Sequence, residues 1–168
     1  MTGRLWQLNR VTVAEEHFVI GVIRRIMEQV HDRITGTGRM PRKKKTVVAV
    51  CIGNELHEIG IGMVADFFER EGWNVYTTGA NTPVKSILAA VKDRKADVVA
   101  LSNTMPSNLS GPRYLVRSLR AGADSAHVKI IVGGSPFVTL PDLWHRVGAD
   151  AAASSAEDAV TVANRLTA

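Results

Sequence analysis

One histidine in this sequence stands where it could hold a metal ion. Residues 55–60 read Glu-Leu-His-Glu-Ile-Gly, with His57 flanked by Leu56 and preceded by the carboxylate of Glu55. A neutral imidazole gives one ring nitrogen to a metal when a carboxylate or hydroxyl orients the other. His57 follows the unbroken, largely β-branched run Val47 to Gly53 and precedes the amphipathic segment Ile61 to Arg70. Such a run reads as a buried parallel strand. His57 then belongs to a loop at the carboxyl end of a strand, the edge where open α/β sheets bind their ligands. Taken alone, a histidine in such a loop is more commonly a turn or capping residue. The rest of the chain decides its reading.

The elements that must position His57 follow from periodicity and punctuation. Thr12 caps a helix, with Glu15 three residues on as in a capping box. That helix runs to about Ile34 with apolar residues on more than one stripe, so cover on two sides is expected. Gly36, Gly38 and Pro41 end it. From Thr46 strands and helices alternate. Trp73–Thr77, Asp97–Ser102, Val128–Val132 and Ala149–Ala153 read as strands two to five. Thr82-Pro83 starts one helix, with Pro at the tolerated first position. Leu115, Val116 and Leu119 mark the next helix, closed by Gly122. Leu140–Val147 reads as a short helix, and Ser155 caps a last one from Glu157 to Leu166. Successive βα units imply a parallel sheet covered on both faces with right-handed crossovers. The expected fold class is α/β, a flavodoxin-like five-stranded parallel sheet in the order 2-1-3-4-5, preceded by a partial helical cap. The switch point lies between strands one and three. The expected organisation is a cap over 1–36, a basic linker over 37–45 and the α/β domain over 46–168.

In that topology three loops converge on one crevice. They carry Glu55-Leu56-His57, then Ser102 and Thr104, then Gly133-Gly134. Gly53, Gly60 and Gly62 remove side chains around the first strand and helix, so a planar or extended ligand can approach the backbone. The dinucleotide fingerprint is absent, and there is no Walker loop. No Ser-His-Asp or Cys-His arrangement suggests a nucleophilic enzyme. His31, His127 and His145 have no metal-ligand spacing to one another. Trp144, Phe137 and Cys51 read as packing residues.

Glu-x-His-x-x-Gly at 55–60, Ser-x-Thr at 102–104 and Gly-Gly at 133–134 resemble the cobalamin-binding domain, in which the first motif usually begins with Asp. The resemblance covers residues 46–168. It implies His57 as the lower axial cobalt ligand. It also implies that the dimethylbenzimidazole tail is displaced into a slot between strands one and three, lined by Ser102, Thr104, Gly133 and Gly134. Glu55 in place of Asp lengthens the carboxylate arm and argues mildly against an alkyl-transfer cycle. Trp6, nine residues, then Glu16-His17 resembles the signature of cobalamin-dependent photoreceptors and antirepressors. That implies an upper-face set of Trp6, Glu16 and His17, with His17 as an upper cobalt ligand. The photoreceptors' histidine after the Trp is Gln7 here. These resemblances imply a regulatory protein rather than an enzyme, binding adenosyl-, methyl- or hydroxocobalamin. It would sense light or cobalamin form and signal to a protein partner, a transcriptional repressor. The alternative is a corrinoid carrier subunit of a methyltransferase system. A plain response-regulator-like module is disfavoured by its missing acidic pair and lysine.

Composition bounds these readings. The 168 residues carry a net charge of +5 and a single cysteine, so no disulfide framework is possible and a cytoplasmic protein is expected. No apolar run has the length of a membrane span. Arg39, Arg42, Lys43, Lys44 and Lys45 could form a nucleic-acid patch. No DNA-reading motif accompanies them, and a solvated linker without direct nucleic-acid binding is the preferred reading.

Overall fold

The computed structural model describes residues 10, 12–36, 42–52, 58–105 and 109–168. It divides into two compact units, Met1–Gly38 and Arg39–Ala168.

In the first unit, helix α1 spans Val13–Gly36. Its start is the expected capping box. The Thr12 amide donates to Glu15 Oε2 at 2.7 Å, and the Glu15 amide donates to Thr12 Oγ1 at 3.2 Å. The Thr12 bonds hold the Glu15 carboxyl below its ordinary pKa, because they favour the charged acceptor. On this helix Phe18, Val22, Ile23, Ile26 and Val30 are exposed, and so is His17.

The second unit is built in the order β1 (Thr46–Cys51), α2 (Glu58–Arg70), β2 (Asn74–Thr77), α3 (Val84–Asp93), β3 (Val98–Ser102), α4 (Ser110–Ala121), β4 (Lys129–Gly133), α5 (Ser135–Thr139), α6 (Leu143–Val147), β5 (Ala151–Ala153) and α7 (Ala156–Leu166). All strand pairings are parallel, and the order is β2-β1-β3-β4-β5, as expected. Two details differ from the expectation. Pro83 is the N-cap of α3 rather than its first residue. The segment after β4 contains two short helices, because Ser135-Pro136 starts a turn of helix directly after the strand.

Alternation along the strands splits the core into two layers. Val48, Val50, Val99, Leu101, Ile130 and Val132 face α3, α4, α5 and α6. Val47, Ala49, Val98, Ala100 and Ile131 face α2 and α7. Trp73, 1% exposed, closes the second layer edge-on to Phe68, with ring centroids 5.3 Å apart. Aspartates fasten the strand entrances: Asp97 Oδ2 accepts from the Thr46 amide and Asp150 Oδ2 from the Ile130 amide, each at 2.7 Å.

Part of the basic run is structural rather than solvated. Lys43 Nζ donates to Asn164 Oδ1 at 3.0 Å, and Lys45 Nζ donates to the Thr167 carbonyl. A cation at that place complements the carboxyl end of α7. Among the described residues no helix is long and apolar enough to cross a membrane.

Candidate functional site

A cavity of about 180 Å³ lies at the carboxyl edge of the sheet. Ser102, the last residue of β3, and Thr104, two residues beyond it, both line it. Gly133 and Gly134 supply bare backbone at the end of β4, and Gly60 does so in the first turn of α2. These five candidate residues are therefore brought together. Ile61, Val64, Ala100 and Ile131 give the cavity an apolar floor.

The glycines have different reasons to be glycine. Gly134 has φ +105°, and a Cβ there would lie 2.1 Å from the Asn103 carbonyl oxygen, so the fold itself forbids a side chain. A Cβ on Gly60 would meet nothing within 4 Å. Helix interiors disfavour glycine, so packing gives no reason for one at Gly60. What the glycine leaves is room beside the cavity.

The sequence places the slot between strands one and three, and the loop that ends β1 lies outside the described residues. The described lining comes from the ends of β3, β4 and β5 and from the first turns of α2 and α7. Ala153, Ser154, Ser155 and Ala156 line the cavity as well and were not among the candidates. Carrying the carboxyl-edge rule through to the fifth strand would have found them. Ser155 is also the expected cap of α7, its Oγ accepting from the Asp158 amide at 3.1 Å. Asp158 Oδ2 accepts in return from the Ser154 amide at 2.8 Å, which fixes this rim.

Asn103, between the two hydroxyl residues, is fully buried. Its amide donates to the Gly133 carbonyl at 3.0 Å and its Nδ2 to the Met105 carbonyl at 3.1 Å. It thereby holds the β3 and β4 loops together. Glu55, Leu56, His57, Trp6 and Gln7 lie outside the described residues, and so does the Glu16 side chain.

A family model described as B12 binding domain matches residues 45–163. The dimethylamine corrinoid protein 2 of Methanosarcina acetivorans is 28% identical over 130 residues, covering 77% of this chain and 59% of that protein. The chain thus spans less than two thirds of that relative. The Methanosarcina barkeri monomethylamine corrinoid protein has the same fold, with a TM-score of 0.84 at 17% identity over 98% of this chain and 76% of that one. The methanol:cobalamin methyltransferase complex of the same organism contains a chain with a TM-score of 0.66 at 20% identity, covering 99% of this chain and 62% of that one.

The cobalamin expectation is borne out by the family match. The light- or cobalamin-sensing regulator is overturned, and with it the photoreceptor and antirepressor resemblance and the transcriptional-repressor partner. The relatives are corrinoid proteins, and the partner side is represented by a methyltransferase complex. The physical reason is that a cobalt-binding loop and a tail slot serve sensors and carriers alike. The regulator reading therefore rested on Trp6, Glu16 and His17, which lie outside the matched residues. A Trp, Glu and His at that spacing also suit the ordinary start of a helix.

Proposed function

We propose a function from one premise: this chain belongs to the B12-binding domain family. It is a corrinoid carrier of a methyltransferase system, presenting its cofactor to a methyltransferase subunit. The observation that carries this reading is the 130-residue alignment with a corrinoid protein named for dimethylamine. When bound, cobalamin supplies a cobalt centre that takes up and gives up a methyl group. The chain needs no catalytic side chain of its own for that role. Its residues bind, orient and shield.

His57 would hold the cobalt, and Glu55 would orient its second ring nitrogen, with Leu56 between them. A carboxylate so placed raises the donor strength of the imidazole. Gly60, Ser102, Thr104, Gly133 and Gly134 surround the nucleotide tail. The apolar floor of Ile61, Val64, Ala100 and Ile131 keeps water from that slot. The hydroxyls of Ser102 and Thr104 offer polar contacts at an otherwise apolar wall. The domains proposed are residues 1–36, a linker over 37–45 and the binding domain at 46–168.

The test is retention of hydroxocobalamin and methylcobalamin through gel filtration, followed by absorption spectra. Wild type should hold both with an imidazole-ligated spectrum. His57→Ala should lose that spectrum. The reduced complex should accept a methyl group when a methylamine methyltransferase and its substrate are added. Failure of wild type to retain either form defeats the proposal.

A further inference from the structure

We propose that Glu58 is a positioning residue for the metal-ligating loop. Its carboxylate pins the chain, one residue after His57, to the turn that follows β2. The inference rests on the reading of His57 as the lower ligand.

Glu58 opens α2, and its Oε1 accepts from the Ala80 amide at 2.6 Å across 22 residues of sequence. An acid in the first turn of a helix commonly serves that helix, by complementing its dipole or capping its own amides. Here the carboxylate reaches a different element.

The turn it reaches is itself held in place. The Thr78 amide donates to the Ala49 carbonyl of β1 at 3.0 Å. Thr82 Oγ1 donates to the Thr78 carbonyl at 2.6 Å. Asn81 sits at φ 51°, a conformation asparagine tolerates better than most residues. Fastened at both ends, the turn presents one amide to the carboxylate. A bond from an amide to a charged acceptor is among the stronger kinds.

The need for such a tether is written in α2. Gly60 and Gly62 fall within its first two turns, and glycine is a weak helix former. The helix start that follows His57 therefore has little stiffness of its own. Through Ala80, Thr78 and Ala49 its first residue is registered to β1, an interior strand of the sheet. His57 is covalently attached to that fixed point.

The experiment loads wild type, Glu58→Ala and Glu58→Gln with cob(II)alamin. It reads the electron paramagnetic resonance spectrum for splitting by one imidazole nitrogen, with His57→Ala as the reference for its loss. Retention of aquocobalamin during gel filtration and the thermal midpoint of the cofactor-free protein are read alongside. Wild type should show the nitrogen splitting. Glu58→Ala should lose part or all of it and release cofactor about tenfold faster, the effect of one charged hydrogen bond. Glu58→Gln keeps an acceptor oxygen and should restore the splitting. If Glu58→Ala does not fold, Glu58→Leu, of similar bulk but without an acceptor, takes its place with the same expectation. Splitting and release unchanged from wild type in the Ala or Leu variant overturn the role of Glu58 alone. Wild type that binds cobalamin without nitrogen splitting, or binds none, overturns the His57 reading and the role of Glu58 with it.

Discussion

Substituting Gly60 separates what the fold requires from what the ligand requires. Gly60 is in α2 at negative φ, and its Cβ would meet nothing within 4 Å. Alanine there should stabilise the cofactor-free protein by about 1 kcal/mol, the usual helix-interior difference. For a unit of this size that raises the thermal midpoint by about 4 °C. A leucine grows into the open space beside the cavity and competes with the tail. Overpacking of this kind costs about 1–3 kcal/mol, so cobalamin retention should fall tenfold or more. Gly134 is the control. At φ +105°, with the Asn103 carbonyl oxygen 2.1 Å from the site of a Cβ, alanine must displace the β3 or β4 loop. The strained backbone and the clash together should cost about 3 kcal/mol or more and lower the midpoint by about 10 °C. The assays are thermal unfolding without cofactor and absorbance of retained hydroxocobalamin after gel filtration. The reasoning is refuted if Gly60→Ala destabilises as much as Gly134→Ala. It is refuted equally if Gly60→Leu holds cobalamin as wild type does.

Ser155→Ala removes the cap of α7 and should cost about 1 kcal/mol, read as a lower urea midpoint. Because Ser155 also lines the cavity, cobalamin retention should fall in the same variant. Trp73→Ala empties a site 1% exposed, with an edge-on Phe68 and a bond from its Nε1 to Asn164. It should cost about 3–5 kcal/mol in the same unfolding series. Glu15 is held below its ordinary carboxyl pKa of 4.5 by Thr12. Its folded value is the lower one, so the cap is complete above 4.5 and is lost as pH falls through the folded value. The nuclear magnetic resonance signal of the Thr12 amide should follow that titration, and Glu15→Ala should abolish it. A Thr12 signal insensitive to acid would remove the box.

What could be read from sequence alone was whatever local chemistry specifies. Alternating β-branched runs and amphipathic segments dictate parallel βα units, and the 2-1-3-4-5 order followed from that pattern. The caps at Thr12 and Ser155 were legible because a cap is a contact between near neighbours. The cobalamin motifs were legible as residue types at loop positions. The choice between sensor and carrier was not, since Trp6, Glu16 and His17 carry no record of the partner they serve. Tertiary structure decided what depends on distant segments meeting. It brought the ends of β3, β4 and β5 and the first turns of α2 and α7 around one cavity. It turned Lys43 and Lys45 from linker charges into ties to α7. It joined Glu58 to Ala80. It also distinguished two glycines that look alike in sequence: a carbonyl of the loop after β3 crowds Gly134, and open space faces Gly60. Periodicity along one segment says which face is buried. The distance to an atom of another segment is set only when the layers pack.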